Sequence, residues 1–277
     1  MELLYSPKYI KDVSIKPRDE HDDFMPGMIR NTYREFNGHL VRGSLCNPED
    51  FADYDKICLD FGVINICKQD PYTLIKSLGS KVKAIILRDS NMFGDWLAPF
   101  SSAQSHSGSF DWNKALRALK EIHFDGTIII DYWDSIANTP AYLRKSYETY
   151  VHEIGKYIYW ELSIDSNIKK HAKRVLFGAG NMCRSYMKYY GKDYPPLFTC
   201  DNNPKRWGEI FDGLEIKNPE ALKELDPDTA IIICNMYYDE IESQIKEMGL
   251  TNPIEKFSDA CLLHNPKDRL EMWKGND

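Results

Sequence analysis

A mainly apolar run, Arg174-Val175-Leu176-Phe177, leads directly into Gly178-Ala179-Gly180-Asn181-Met182-Cys183. A strand that feeds a glycine turn and then a helix aims backbone N–H groups and the positive end of the helix at one spot, and phosphate suits that spot. Gly178 permits the tight turn, and Gly180 permits close approach of a ligand. Cys183 stands at the third position of the fingerprint, where a small residue still allows close helix–strand packing. A second apolar run ends at Cys200-Asp201-Asn202-Asn203. Asp201 lies about 20 residues beyond the turn, the spacing at which a carboxylate meets a ribose hydroxyl. Gly178, Gly180, Asn181, Met182, Asp201 and Asn202 are therefore candidate ligand-binding residues. The alternative is local: the glycines make a tight βα turn and Asp201 caps a loop.

A second group of chemical residues lies upstream. The runs Ile57-Cys58-Leu59-Asp60 and Thr127-Ile128-Ile129-Ile130-Asp131 each end in a carboxylate, and Val82–Leu87 is followed by Arg88-Asp89. In α/β barrels the C-terminal strand ends carry the active site. Asp60 and Asp131 are thus candidate catalytic residues by position. His106, in the long loop from Ser90 to Ser109, is a stronger catalytic candidate than His123 or His152, which lie in or beside helices. The alternative for both carboxylates is again local, as hydrogen-bond acceptors for neighbouring loop N–H groups.

These residues need elements to position them. Strand-like runs that are apolar throughout and alternate with helical patterns indicate parallel sheet covered by helices. A helix over Pro71–Leu78 is stopped by Gly79, and Asp111 caps a helix through about Ile122. Met28 to Phe36 reads as a short helix, and His39 to Gly43 as the end of a strand. Thr139 to about His171 has the spacing of one long helix. Beyond it come strands at 174–178, 196–200, 229–234 and 253–257, helices at 181–191, 219–224 and 238–248, and a hairpin-like segment near 213–217. The expected organisation is a first α/β domain (1–138), a linking helix (139–172) and a Rossmann-like, doubly wound domain (173–277).

The chain has 277 residues, 43% of them hydrophobic, and a net charge of −7 with both signs spread along it. That length suits two domains. The acidic balance argues against nucleic acid as the main partner, because phosphate neutralisation needs a basic face. No apolar run approaches the ~18 residues of a membrane span, so no membrane partner is expected. Met1 to Tyr5 lacks the basic-then-apolar pattern of a secretory signal. Seven cysteines occur without CxxC spacing, which suits buried thiols in a reducing cytoplasm.

Two resemblances add to this reading. Phe177-Gly178-Ala179-Gly180, Asp201-Asn202-Asn203-Pro204-Lys205-Arg206-Trp207-Gly208, Gly213-Leu214-Glu215-Ile216 and Pro219-Glu220-Ala221-Leu222 resemble the small Rossmann-like domains of polysaccharide-biosynthesis proteins. The resemblance implies a nucleotide, nucleotide sugar or NAD(P) ligand. Ile231 to Asn235 is then a fourth strand, with Asn235 and Tyr237 near the ligand. Hydride transfer is not implied, since this domain lacks an evident catalytic partner for it.

Residues 56–134 resemble the last third of xylose-isomerase-like sugar phosphate isomerase/epimerase barrels. The similarity rests on Leu59-Asp60-Phe61-Gly62, Ile86-Leu87-Arg88-Asp89-Ser90, Phe110-Asp111-Trp112-Asn113 and Phe124 to Asp131. It implies a divalent metal, with Asp60 as its aspartate ligand and Asp131 where a glutamate is usual. The family's histidines fall on Ile86 and Val63, and its upstream glutamate has no match in residues 1–50.

A full barrel needs ~200–250 residues. The expected first domain is therefore a partial or degenerate TIM-barrel-like unit whose open edges the helix at 139–171, the N-terminal arm or a second subunit would cover, and a homodimer is expected. Three functions are left: a carbohydrate-pathway protein that binds a nucleotide or nucleotide sugar, a metal-dependent sugar isomerase or epimerase, and a non-catalytic scaffold with vestigial sites.

Overall fold

A computed structural model describes residues 1–5, 28–31, 35–36, 39–40, 47–90, 96–100 and 110–260. His106 lies outside the described residues. The chain divides into two compact units, Met1–Leu162 and Ser163–Asp277.

The first unit contains strands β1 (Glu2–Tyr5), β2 (Ile29–Arg30), β3 (Glu35–Phe36), β4 (His39–Leu40), β5 (Ile57–Asp60), β6 (Val82–Leu87), β7 (Asp89–Ser90), β8 (Trp96–Leu97) and β9 (Thr127–Ile130). Its helices are α1 (Phe61–Ile66), α2 (Pro71–Leu78), α3 (Trp112–Glu121), α4 (Trp133–Asn138) and the start of α5 (Arg144–Lys169). Five strands form one parallel sheet in the order β1-β9-β6-β5-β2. From β2 to β9 spatial order follows chain order, and β1 then joins beside β9. Among the described residues no ladder joins β1 to β2, so the sheet is open and no closed barrel is seen.

Residues on β5, β6 and β9 alternate between two buried faces, which explains why these runs are apolar throughout. Cys58, Ala84, Ile86 and Ile129 form one core cluster, with Met28 packed against it. Ile57, Leu59, Ile85, Leu87, Ile128 and Ile130 alternate with them and are fully buried. The helices start where acidic caps are available. Asp60 accepts from Val63 N–H, Asp70 from Thr73 N–H and Asp111 from Lys114 N–H. Each such cap contributes about 1 kcal/mol. Gly79, at φ 54°, ends α2 as expected.

One expected element differs. Residues 28–36 contain no described helix; Ile29–Arg30 is instead the edge strand β2, paired in parallel with Ile57 and Cys58. The sheet edge offers Ile29 N–H the carbonyl of Lys56, and Arg30 the carboxylate of Asp60. These non-local partners override the helical spacing.

The second unit contains β10 (Arg174–Phe177), α6 (Asn181–Tyr189), β11 (Thr199–Cys200), β12 (Ile210–Phe211), β13 (Leu214–Lys217), β14 (Ala230–Ile233), α7 (Tyr238–Glu247) and β15 (Ile254–Lys256). The sheet order is β12-β13-β11-β10-β14-β15. Setting the antiparallel hairpin strand β12 aside, the parallel strands run 3-2-1-4-5 in chain order, the doubly wound Rossmann-like arrangement. Asp212 and Gly213 turn the β12–β13 hairpin with φ of 48° and 83°, the backbone that a two-residue turn requires. Val175, Phe177, Ile231, Ile233, Ile241 and Ile245 anchor the core. Burial of each such side chain contributes roughly 1.5–3 kcal/mol.

Gly126, just before β9, sits where a Cβ would lie 2.1 Å from the Lys83 carbonyl oxygen. Gly126→Ala is therefore expected to cost about 1–3 kcal/mol through forced backbone movement. Denaturant unfolding of the full chain measures this, and an unchanged midpoint contradicts it.

Candidate functional site

The order of the parallel strands reverses between β10 and β14, so a crevice opens beyond their C-terminal ends. Gly178 follows β10 with φ 116°. A Cβ there would lie 2.7 Å from the carbonyl oxygen of Cys234, just past β14. Glycine is thus required both by the backbone angle and by the approach of the neighbouring strand. Gly180 is different. It precedes α6 in extended conformation, no side chain caps it, and a Cβ there would meet nothing within 4 Å. The chain itself makes no demand for glycine at this position.

A cavity of about 310 Å³ opens beside this turn. Gly178, Asp201, Asn202 and Asn235 line it, which brings together four of the seven residues expected to bind a ligand. Gly180, Asn181 and Met182 form the adjoining start of α6 and are not part of the lining. Phe177 and Ile241 supply apolar wall, and Tyr237, Glu240 and Gln244 complete it. Among these, Glu240, Ile241 and Gln244 were missed by sequence reasoning. Their i, i+1, i+4 spacing on one helix, after a strand ending in Asn235, was the available signal.

Asp201 holds the turn in place. One carboxylate oxygen accepts from Ala179 N–H at 3.0 Å and the other from Asn203 N–H at 2.8 Å. Each oxygen has a further lone pair to offer. Asn235 Oδ1 accepts from Tyr237 N–H at 3.1 Å and so fixes the loop after β14. Asn181 Oδ1 accepts from Arg184 at 3.4 Å, and Met182 is half-buried.

Two cations flank the turn. Arg206 donates to the Ala179 carbonyl at 2.6 Å, and Arg184 pairs with Asp212 at 3.2 Å. Both guanidiniums rest on the Phe211 ring, 5.0 and 5.1 Å from its centroid. The nearby thiols offer no nucleophile. Burial pushes Cys183 up to about 12, and also raises Cys200 and Cys234.

In the first unit, register carries four charged residues to one face at the sheet's C-terminal end. Asp60 is fully buried. Its Oδ2 accepts from Arg30 at 2.6 Å and from Arg88 at 2.5 Å, while its Oδ1 accepts from Arg88 Nε at 3.0 Å and Val63 N–H at 3.3 Å. Arg88 also donates to Asp131 at 3.1 Å. Asn31 braces the backbone of Asp60 through two further hydrogen bonds.

At Asp60 and Asp131, where a metal was expected, the described partners are arginines. The Arg88 guanidinium stands between the two carboxylates and supplies the positive charge that a cation would bring. Among the described residues, no group of three or more histidines, cysteines or carboxylates is arranged to hold a metal. As described, Asp60 and Asp131 are bonded to guanidinium and do not fit Mg²⁺ or Mn²⁺. Asp60 is correspondingly not exposed to a substrate as a catalytic carboxylate.

Burial pushes the Asp60 carboxyl up, but Arg88 and Arg30 outweigh it and hold the group below its ordinary value of 3.8. The sign follows from linkage. A lowered folded-state value stabilises the fold fully above the unfolded-state value, and this stabilisation is lost as pH falls through the folded-state value. Asp60→Asn is expected to cost about 3–5 kcal/mol near neutral pH, because two guanidiniums would face a neutral amide. The difference between wild type and variant should shrink from about pH 5 towards pH 2. Denaturant unfolding across that range checks both, and a difference independent of pH contradicts the assignment.

A family model described as C2185-like, N-terminal, matches residues 170–253. That match covers β10 through β14 and does not extend to residues 56–134. No curated protein matches the chain. Among solved structures, the chain is similar to RSP, a Rex-family repressor, at 14% identity over 51% of this chain and 79% of that one, with a TM-score of 0.27. RSP in complex with β-NADH gives 15% identity over 49% and 78%, at 0.27. RSP in complex with β-NAD⁺ and operator DNA gives 14% identity over 52% and 82%, at 0.26.

Proposed function

We propose that the Rossmann-like domain, residues 173–277, binds a nucleotide or nucleotide sugar at the Gly178-Ala179-Gly180 turn. The observation that carries this reading is the cavity at the point where strand order reverses, bounded by Gly178 on one strand end and Asp201 on the next. Ligands of open α/β sheets bind in such crevices. Gly180 adds support, because its missing side chain serves no packing purpose in the chain. Room for a ligand is a sufficient reason for it. Asp201 keeps lone pairs for ribose hydroxyls after satisfying the turn, and the uncapped start of α6 supplies N–H groups for phosphate.

At about 310 Å³ the cavity is at the small end of the range for ligand pockets. That size takes one nucleoside with its phosphate, so the remainder of a nucleotide sugar or of NAD(P) would extend beyond it.

The first domain (1–138) serves on this proposal as a structural partner joined through the helix at 139–172, in a carbohydrate pathway and as a homodimer. Its Arg30–Asp60–Arg88–Asp131 network favours that scaffold role over metal-dependent isomerase chemistry. Among the described residues no helix is long and apolar enough to cross a membrane.

Calorimetry of the full chain with AMP, UDP-glucose and NAD⁺ tests the proposal, with one binding site per chain expected for at least one of them. Gly180→Ala should leave the melting temperature unchanged yet weaken that binding about tenfold, since the added methyl takes space the ligand needs and displaces its contacts to the turn. Gly178→Ala should instead cost about 1–3 kcal/mol of stability, from its backbone angle and the approach of Cys234. Absence of binding by all three compounds at millimolar concentration overturns the proposal.

A further inference from the structure

One wall of the cavity is made by two side-chain amides that are bonded to each other. Asn202 follows β11, and Gln244 lies on α7, 42 residues further on. Asn202 Nδ2 donates to Gln244 Oε1 at 2.9 Å, and Gln244 Nε2 donates to Asn202 Oδ1 at 3.0 Å. Each amide thus presents an adjacent donor and acceptor, and each satisfies the other. Both residues line the cavity. The pair sits at the surface, where its two hydrogen bonds compete with water and are easily exchanged.

The same wall carries two features that the fold does not use. Tyr237 is 59% exposed at the cavity lip, although its backbone N–H is fixed to Asn235. Glu240, one turn before Gln244, adds an exposed carboxylate to the lining. A flat aromatic face beside a paired donor and acceptor suits a planar heterocycle that offers the complementary edge.

The geometry points to an amide latch that opens to read an adenine edge. This rests on the nucleotide reading above and narrows it to adenine nucleotides. Asparagine and glutamine amides bond adenine in a bidentate fashion at N6 and N7. When such an edge enters, one amide exchanges its partner for the base without losing a hydrogen bond, and the other turns to water. Tyr237 stacks on the base. Glu240 favours the amino group of adenine over the keto oxygen that guanine or uracil would bring to the same wall, because a carboxylate accepts from N–H and repels a carbonyl oxygen.

The test compares three compounds on the full chain by calorimetry: AMP, purine riboside 5′-monophosphate, which lacks the N6 amino group, and ribose 5-phosphate, which lacks the base. Wild type should prefer AMP over purine riboside 5′-monophosphate by about tenfold or more. The double variant Asn202→Ala, Gln244→Ala should lose that preference and bind ribose 5-phosphate as wild type does. Both side chains lie at the surface, so an unchanged melting temperature is expected. In wild type the side-chain NH₂ resonances of Asn202 and Gln244 should move on addition of AMP and stay in place with ribose 5-phosphate. A double variant that still prefers AMP overturns the latch and leaves nucleotide binding standing. Wild type that binds none of the three compounds overturns the latch, and the nucleotide reading falls with it only when UDP-glucose and NAD⁺ also fail to bind.

Discussion

The second unit depends on how closely β10 and β14 approach each other where they end. Their parallel ladder runs from Arg174 beside Ala230 to Phe177 beside Ile233, and the chain leaves it at Gly178 with the Cys234 carbonyl oxygen 2.7 Å from where a Cβ would be. Only a residue without a side chain can turn there, and its φ of 116° belongs to glycine in any case. The cavity lies beside this turn, beyond the strand ends. Its walls are therefore fixed by sheet topology rather than by any single binding residue, and the residues that face it are those the strand ends happen to deliver: Asp201 and Asn202 from β11, Asn235 from β14, and the first two turns of α7.

Both units place carboxylates at the C-terminal ends of parallel strands, and they use them in opposite ways. Asp201 bonds two loop N–H groups, keeps lone pairs in hand and stays at the cavity wall. Asp60 is fully buried and spends both oxygens on Arg30, Arg88 and Val63 N–H. A buried carboxylate needs such partners, since its desolvation is not otherwise offset. Arg88 extends the same arrangement to Asp131. The result is an ion-pair network of two cations and two anions in which positive charge already stands between the carboxylates. What looks from spacing alone like an acid/base or metal pair is, in three dimensions, a brace across β2, β5, β6 and the end of β9.

Much of this was legible in the sequence, because it is written locally. The Gly178–Gly180 turn, the caps at Asp70 and Asp111, the stop at Gly79 and the apolar strands each follow from neighbouring residues, and the structure has them where the spacing predicts. Four of the expected ligand residues do share one cavity. What was not legible depends on register. Arg30 and Arg88 meet at Asp60 only because β2 and β6 flank β5 in parallel, and neither arginine signals this in its own segment. Residues 28–36 carry helical spacing, yet Ile29–Arg30 joins the sheet edge because a ladder and a buried carboxylate are available there. Gln244 faces Asn202 for the same kind of reason, across 42 residues of chain. The resemblance of residues 56–134 to sugar isomerase barrels pointed to a metal, and the residue that answers it is an arginine already inside the matched segment Ile86 to Ser90.

The central claim is that the turn after β10 is a nucleotide site, and mapping where a nucleotide touches the chain tests it most directly. Backbone amide resonances of the ¹⁵N-labelled full chain, followed during titration with AMP and with UDP-glucose, should show saturable shifts at Gly180, Asn181, Met182, Asn202 and Asn235 with at least one ligand, while those of Asp60, Arg88 and Asp131 stay in place. Shifts confined to the first unit, or none at the glycine turn at millimolar ligand, would contradict it.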